Sequence, residues 1–335
     1  MAGPFDKLRD RPDPVIEPVE MPDRPAVIGV GTDGDAVIGT GAEIDTVIGV
    51  AGDLVEDVIV WVSGPVAYGT DTPSRIFHVR GGSAANVAHA VAAQGGRSRL
   101  LTRIGADAVG DRLRTDLESA GVEVRAQLGR ASDTIVILID ETGERTMLPD
   151  RTNARAVEPF DGAWVDGIAW LHVPLYGFET RSEAEVFTGL CDAAAERRVP
   201  LSIDVSSTGL IRLIGRGRVL ALLERLRPAV VFANEDEAEM LELGSRQPPE
   251  GCAWVLKQGR DPVIVVTRDG SFEIPVPPVG EVTDTTGAGD HFAAGFLRRL
   301  VSGGGLIAGP ELAAAAEAGI AAAQRVLHTP GAHHA

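Results

Sequence analysis

Apolar and polar positions follow one another along this chain in two patterns, which together predict its secondary structure. Short continuous apolar runs are typical of strands buried in a parallel sheet, and longer stretches with helical periodicity separate them. The apolar runs are Arg99–Ile104, Thr134–Asp140, Ala169–Val173, Leu201–Val205, Val230–Ala233 and Val263–Thr267. The helical stretches are Val87–Ala93, Arg112–Ala120, Glu183–Arg197, Arg218–Leu226, Glu235–Leu243, His291–Leu300 and Glu311–Val326. This order predicts an α/β fold with a mostly parallel sheet that is covered by helices on both faces.

Three further segments complete the pattern. An apolar run at Val58–Val62 leads through a polar connection to the strand-like Arg75–Val79. Pro275–Val282 is also predicted to be a strand, directly before a glycine-rich turn. Because ligands bind at the carboxyl ends of the strands in such sheets, we expect the functional residues there.

The first 44 residues precede this alternation. Residues 1–25 carry prolines at positions 4, 12, 14, 18, 22 and 25, which predicts a disordered tail. A ten-residue repeat follows, with Val-Ile-Gly at positions 27–29, 37–39 and 47–49. The first copy spells G-x-G-x-x-G, as in dinucleotide-binding turns, but the second copy begins before a crossover helix could form. We therefore interpret residues 26–44 as a repeat-derived extension and the third copy as the start of the folded domain.

Composition narrows the class of protein. A hydrophobic content of 44% supports a sizeable core, and a net charge of −17 at pH 7 argues against a nucleic-acid partner. No run of ~18 apolar residues predicts a membrane span. Cys191 and Cys252 are too few for a disulfide scaffold, which favours a reducing, cytoplasmic location.

The segment that carries most chemical information is Asp284-Thr285-Thr286-Gly287-Ala288-Gly289-Asp290, where an apolar helical stretch begins. Backbone N–H groups in a first helical turn lack intrahelical partners, so they offer an anion site. Small residues at 287–289 let a phosphate approach that backbone closely. The carboxylate of Asp290 suits a general base for a hydroxyl that attacks the phosphate. The alternative interpretation is an aspartate that only caps the helix behind a flexible turn.

Three motifs together resemble one known family. The segment 284–290 resembles D-T-x-G-A-G-D, residues 81–86 resemble G-G-x-x-x-N, and residues 105–111 are similar to G-x-D-x-x-G. In this order they resemble the ribokinase-like (PfkB) carbohydrate kinases over residues 45–330. The resemblance implies a three-layer α/β/α fold with a small β lid near residues 58–80 and a short tail at 331–335. It also implies that the protein binds ATP and Mg²⁺ as cofactors.

The resemblance assigns roles to residues around the two glycine-rich motifs. Asp290 would be the general base, and the amides of Gly287, Ala288 and Gly289 would stabilise the charge on the transferred phosphoryl group. On the acceptor side, the sugar would be bound by residues of the two amino-terminal motifs: Asp57, Gly81, Gly82 and Asn86. For Asp57 the alternative is a solvated acidic turn or a register shifted to Asp53 or Glu56, and for Asn86 it is helix capping.

Further residues are implied for the nucleotide and for ions. Asn234, Thr267 and Gly289 would contact the nucleotide, although the turn at residues 268–271 is shorter than is usual in the family. Asn234 and Glu237 would hold Mg²⁺ mainly through water, since three residues separate them on one helix face. The alternative is an acidic helix start without a metal. Asp284 and Thr286 would bind a monovalent cation such as K⁺, as they do in some relatives.

The leading functional hypothesis is an ATP-dependent kinase that phosphorylates a hydroxymethyl group of a small sugar or sugar acid. A nucleoside kinase is the enzymatic alternative, with Trp61, Tyr68 and Phe77 as the aromatic candidates for contact with a base. A third hypothesis is a kinase-like binding protein with reduced turnover, suggested by the short turn at 268–271 and the amino-terminal repeat. For the oligomeric state, the hypothesis is a homodimer formed through the lid.

Overall fold

The apolar runs form strands and the stretches with helical periodicity form helices. The computed structural model describes residues 46–151, 158–280, 282 and 285–328, so the predicted tails and the repeat-derived extension lie outside the described residues. The strands are β1 (Val47–Ala51), β2 (Val55–Val62), β3 (Ser74–Gly81), β4 (Arg97–Gly105), β5 (Val122–Gly129), β6 (Thr134–Ile139), β7 (Arg145–Asp150), β8 (Ile168–Pro174), β9 (Leu201–Asp204), β10 (Val230–Asn234), β11 (Ala253–Gln258), β12 (Asp261–Thr267) and β13 (Gly270–Ile274).

All helices but the short one at Thr208–Ile214, which the apolar pattern did not predict, begin and end within a few residues of the predicted stretches. The helices are α1 (Ser83–Ala93), α2 (Ala108–Ser119), α3 (Arg181–Glu196), α4 (Thr208–Ile214), α5 (Arg216–Leu226), α6 (Glu235–Leu241), α7 (Ala288–Ser302) and α8 (Gly309–Gln324). Short 3₁₀ turns lie at Gly162–Val165, Leu175–Phe178 and Leu243–Ser245. None of the helices among the described residues is long and apolar enough to cross a membrane.

Nine strands form the main sheet in the order β13-β12-β11-β10-β9-β8-β1-β4-β5. Every pair from β11 to β5 is parallel, whereas β12 and β13 continue the sheet as antiparallel strands. The carboxyl ends of the parallel strands therefore meet at one edge. The predicted mostly parallel sheet is confirmed.

Most strands of this sheet contribute to two apolar cores. In β10, Val230 and Phe232 pack in the core shared with α1, α7 and α8, whereas Val231 and Ala233 pack in the core shared with α3, α5 and α6. This division follows from strand geometry, because successive side chains point to opposite faces. The result is the predicted three-layer α/β/α fold.

Four strands form a separate lid sheet in the order β3-β2-β6-β7. β2 pairs antiparallel with β3 and parallel with β6, and β6 pairs antiparallel with β7. The placement of Thr134–Asp140 in the main β–α alternation was therefore wrong. Only four residues separate β5 from β6, and a parallel crossover in the same sheet needs about a dozen or more.

The predicted strand at Pro275–Val282 was also wrong. β13 ends at Ile274, and residues 275–280 form neither strand nor helix. Prolines at positions 275, 277 and 278 lack the N–H groups that a strand ladder needs. The segment instead runs along the edge of a cavity in front of α7.

Candidate active site

The amino-terminal end of α7 faces a large cavity. Gly287 precedes the helix with φ 75°, a left-handed conformation that glycine adopts at little cost, and no side chain caps the helix there. Gly287, Ala288, Gly289 and Asp290 all line the cavity, whose volume is about 930 Å³. Of the amides predicted to bind phosphate, that of Ala288 donates to the Thr285 carbonyl at 3.2 Å. The helix dipole and the small residues leave this end suited to an anion.

The Asp290 carboxylate is held by two side chains of α1. Ser83 Oγ donates to Oδ1 at 2.7 Å, and Asn86 Nδ2 donates to Oδ2 at 3.0 Å. Burial raises the pKa of Asp290 from 3.8 to about 7, and these two hydrogen bonds oppose the rise. The carboxylate is therefore fixed in orientation and titrates near neutral pH, as a general base requires.

The structure places Asn86 behind the base and does not place it on the wall of the cavity. Its Oδ1 accepts a hydrogen bond from Arg80 Nη1 at 2.9 Å, so both ends of its amide are used. Arg80 is buried, and burial lowers its pKa to about 10, which leaves it charged at neutral pH. Asn86 therefore orients Asp290, and its predicted direct contact with substrate stays a prediction. The capping alternative fails as well, because no side chain caps α1.

Asp57 lines the acceptor side of the cavity from the lid strand β2. Its Oδ1 atom is buried and has no hydrogen-bond partner among the described residues. Burial and the neighbouring charge of Asp53 raise the pKa of Asp57 to about 7, while Arg151 and Arg80 oppose that rise. Because a buried carboxylate oxygen without a partner costs free energy, this atom is suited to accept from a substrate hydroxyl.

Asp53 also lines the cavity but has a local structural role. Its Oδ1 accepts from the Ala84 amide at 3.2 Å, at the start of α1. Its Oδ2 lies 3.6 Å from Arg151 Nη1, and the guanidinium of Arg151 stacks over Tyr176 with Cζ 4.6 Å from the ring centroid. Neither Asp53 nor Asp57 is a solvated acidic turn.

Gly81 and Gly82 make room for these two aspartates. A Cβ on Gly81 would lie 2.3 Å from Asp57 Oδ1, and a Cβ on Gly82 would lie 2.5 Å from the Asp53 carbonyl oxygen. Gly82 also has φ 101°, which L residues rarely adopt. The close approach that both glycines permit is therefore to the protein's own carboxyl and backbone groups, and only Gly82 also lines the cavity.

Asn234 and Glu237 form a capping box at the start of α6. Asn234 Oδ1 accepts from the Glu237 amide at 2.9 Å, while Glu237 accepts from the Asn234 amide and from Nδ2, both at 2.8 Å. Burial and the charge of Asp204 raise the pKa of Glu237 to about 7. Both residues line the cavity, but their oxygens are already hydrogen-bonded, so they fit a hydrated Mg²⁺ better than direct ligation. No group of three or more potential ligands is found among the described residues.

Thr267 lies away from the cavity, so its predicted contact with a nucleotide is corrected. It ends β12, which runs antiparallel to β11, and therefore stands at the sheet edge opposite the carboxyl ends of the parallel strands. Its hydroxyl donates to the Gly270 carbonyl at 3.1 Å. The turn that lines the cavity is formed by residues 258–260, and the short turn at 268–271 does not line it.

The Thr286 hydroxyl accepts a hydrogen bond from the guanidinium of Arg145, which belongs to the lid strand β7. A cationic group therefore already lies beside the oxygen that was predicted to bind a monovalent cation. Asp284, the other predicted ligand, lies outside the described residues, so the K⁺ site stays a prediction.

The aromatic candidates for a base do not line the cavity. Trp61, Tyr68 and Phe77 are exposed, and Tyr68 is 97% exposed. The rings that do line it are those of Tyr176 and Phe292. The apolar lining on the lid side comes from Ile135, Ile137 and Met147.

Fold and cavity together define an α/β protein in which an uncapped helix terminus and a buried carboxylate line the same cavity as a second carboxylate from a lid. The family model for the pfkB family carbohydrate kinase matches residues 45–335. The chain belongs to this family, and it is a carbohydrate kinase by class.

Similar proteins act on different acceptors. The ATP-dependent ribose-1-phosphate kinase of Halopiger xanaduensis is 34% identical over 237 residues, which cover 67% of this chain and 74% of that protein. A fructokinase of Klebsiella pneumoniae is 28% identical over 73% of this chain and 85% of that protein.

Solved structures share the fold. The fructokinase of Xylella fastidiosa with bound ATP has a TM-score of 0.73 at 21% identity, covering 86% of this chain and 94% of that one. The adenosine kinase of Sinorhizobium meliloti has a TM-score of 0.73 at 20% identity, covering 87% and 96%. The identity is low enough that these two comparisons establish the fold alone.

Sequence reasoning missed several residues that the fold brings to the cavity, among them Ser83, Lys257 and Arg151. Ser83 had a signal, because it precedes Asn86 by three residues and so shares its helix face. No sequence signal pointed to Arg151, because its position depends on how the lid packs against the main domain.

Proposed function

We propose that this protein transfers the terminal phosphoryl group of ATP to a hydroxymethyl group of a small sugar or sugar acid. The observation that carries the proposal is Asp290. It stands in the first turn of α7, lines the cavity, titrates near neutral pH and is oriented by Ser83 and Asn86. A base with these properties beside an anion-binding helix terminus suits attack by a hydroxyl on a phosphate.

In the proposed reaction, Asp290 takes the proton of the acceptor hydroxyl as its oxygen bonds to the terminal phosphorus. The bond from that phosphorus to the bridging oxygen breaks, and ADP leaves. The amides at residues 287–289 and the dipole of α7 would stabilise negative charge on the phosphoryl group. Loss of one such donor typically costs ~3–4 kcal/mol in the transition state.

Asp57 would hold the acceptor. Its partnerless Oδ1 can accept a hydrogen bond from a sugar hydroxyl, and an ionised carboxylate can accept from two adjacent hydroxyls. Asp57 stands on the lid and Asp290 on the main domain, so a polyol between them would have one end bound and the other deprotonated.

Mg²⁺ bound with ATP would offset phosphate charge during transfer. Asn234 and Glu237 would hold it through water, since their own oxygens accept hydrogen bonds within the capping box. Asp284 and Thr286 remain the predicted K⁺ ligands. A cytoplasmic location also remains a prediction, and two buried, free cysteines agree with it.

A nucleoside is the second candidate acceptor, and one feature of the lid favours it. Ile135, Ile137 and Met147 present apolar surface to the cavity beside Asp57. A free sugar would leave that surface uncovered, whereas a base or another apolar group would bury it at about 25 cal/mol per Å². Similar proteins include both sugar kinases and nucleoside kinases, so the two kinds of acceptor can be compared in one assay.

One of the two observations that suggested a binding protein with reduced turnover no longer supports that hypothesis. That observation is the short turn at 268–271, which lies away from the cavity. The amino-terminal repeat, the other observation, lies outside the described residues. Retention of Asp290 and its two hydrogen-bond donors supports an active enzyme.

ADP release should be measured over a panel of sugars, sugar acids, sugar phosphates and nucleosides. Turnover on a sugar or sugar acid supports the leading proposal, and turnover on nucleosides alone supports the second candidate. ATP binding without turnover on any compound would favour the binding protein.

The lid is also the surface through which we propose a homodimer. Its strands expose Trp61, Ile76, Phe77 and Leu148, and such apolar side chains on a small sheet suit a second copy. Sedimentation of the wild type and of Ile76→Glu tests this. A monomeric wild type would overturn it.

A further inference from the structure

Lys257 places an ammonium group beside the first turn of α7. It lies near the end of β11 and lines the cavity. Its Nζ is 2.8 Å from Asp204 Oδ2 and 5.9 Å from the centroid of the Phe232 ring. A Cβ on Gly289 would lie 3.4 Å from the same Nζ, so the ammonium packs against the backbone that precedes Asp290.

The choice of lysine here is unusual for this chain. Of 31 lysines and arginines in the sequence, only Lys7 and Lys257 are lysines. A guanidinium is broader than an ammonium and presents a rigid planar fork, whereas an ammonium is a compact point charge. The narrow space between the Asp204 carboxylate and the Gly289 backbone suits the smaller group.

Lys257 is charged at neutral pH. Burial alone would lower its pKa, but the charge of Asp204 and the hydrogen bond to it outweigh burial, so its pKa is raised. Glu237 and Asp290 add to that rise. Three carboxylates on three different elements thus stabilise one ammonium at the edge of the cavity.

The ion pair leaves Lys257 able to bind a ligand. An ammonium has three N–H donors, and Asp204 is its one hydrogen-bond partner among the described residues. Asp204 is itself fixed, because its Oδ1 accepts from the Ser206 amide at 2.8 Å. Two donors therefore remain on a cation that is held in place at the phosphate end of the cavity.

We propose that Lys257 binds the terminal phosphate of ATP through its ammonium, with Asp204 positioning it. This inference depends on the proposed function for the identity of the ligand. The contact would join the anion-binding amides of α7 on one side of the phosphoryl group to a fixed positive charge on the other. Such a charge-assisted hydrogen bond would strengthen as negative charge builds on the transferred group.

Calorimetric titration tests the contact without turnover. The wild type, Lys257→Met and Arg268→Gln should each be titrated with a non-hydrolysable ATP analogue, ADP and AMP in the presence of Mg²⁺. Arg268 is a matched control, since it is an exposed cation on the β12–β13 turn and lies away from the cavity. Loss of Lys257 should weaken binding of the ATP analogue by about 10- to 150-fold and change AMP binding little.

A purely structural role of Lys257 predicts a different result. Lys257→Met leaves Asp204 buried without its partner, so Lys257→Met with Asp204→Asn removes that cost. If the double variant regains the affinity for the ATP analogue, or if Lys257→Met weakens all three nucleotides equally, the proposal is overturned. Continued selective loss for the ATP analogue supports it.

The proposed function and the role of Lys257 can be refuted independently of each other. A wild type that binds the ATP analogue through Lys257 but phosphorylates no acceptor overturns the proposed function alone. A wild type that phosphorylates an acceptor at the same rate as Lys257→Met, with unchanged affinity for the analogue, overturns the role of Lys257 alone.

Discussion

Asn86 donates a 3.0 Å hydrogen bond from Nδ2 to Oδ2 of Asp290, although the two residues are 204 positions apart in the chain. The bond joins the two glycine-rich motifs, since Asn86 ends one and Asp290 ends the other. Ser83 donates a hydrogen bond to the other carboxylate oxygen, Oδ1, so α1 holds both oxygens of the base. A shift of α1 relative to α7 would therefore change the orientation of the base.

Asp290→Asn should retain nucleotide binding and reduce turnover by a factor on the order of 10²–10⁴, because the amide cannot take a proton. Burial raises the pKa of Asp290 from 3.8 to about 7, so its ionisation opposes folding, and this effect is complete above pH 7. The melting temperature at pH 8 should accordingly be unchanged or higher. Comparable turnover in the variant would refute the base assignment, and a lower melting temperature would indicate a structural role.

Ser83→Ala should move the pH dependence of turnover. The hydrogen bond from Ser83 lowers the pKa of Asp290 against the larger effect of burial, so its loss raises the pKa above about 7. The rising limb of activity should then shift to higher pH, with most of the rate recovered in alkaline buffer. Ser302→Ala, an exposed position on α7, is the control. An equal loss at every pH would contradict this explanation.

Asp57→Asn should weaken acceptor binding and spare ATP. A hydrogen bond to a charged group contributes ~1.5–3 kcal/mol, which corresponds to about a 10- to 150-fold rise in the KM for the acceptor. The amide has nearly the volume of the carboxylate that sits against Gly81, so the lid should keep its packing. A rise in the KM for ATP with an unchanged acceptor KM would show that Asp57 does not hold the sugar.

Gly82→Ala should inactivate or destabilise the protein far more than Gly95→Ala does. Both glycines have positive φ, 101° and 77°, which costs an L residue ~1–2 kcal/mol. Only at Gly82 would the added Cβ meet another atom, the Asp53 carbonyl oxygen at 2.5 Å, whereas Gly95 faces open space. The difference in melting temperature and KM between the two variants reports this contact together with the backbone of Gly82, whose φ of 101° and ψ of 127° lie outside the left-handed helical region. Equal effects would contradict the steric role of Gly82.

A protein that begins at residue 45 should fold and phosphorylate its acceptor. The family match starts at residue 45, and β1 starts at Val47. Size-exclusion chromatography and the kinase assay on this truncation decide the matter. Insolubility or lost activity would show that residues 1–44 belong to the working structure.

The sequence by itself determined the class of fold and the place of Asp290 behind a glycine-rich turn at the start of a helix. The β–α order is a local pattern of apolar residues, and a glycine-rich turn before a helix is local as well, so neither depends on distant contacts. Most helix bounds followed for the same reason.

Tertiary structure alone decided which strands join which sheet and which side chains meet. β6 has the apolar pattern of a main-sheet strand, yet its short connection sends it to the lid. β12 is as apolar as its neighbours, but its antiparallel direction moves Thr267 to the opposite edge, whereas the parallel direction of β11 brings Lys257 to the cavity. Strand direction and partner depend on connections and packing across the whole sheet, and a local pattern of apolar residues carries neither.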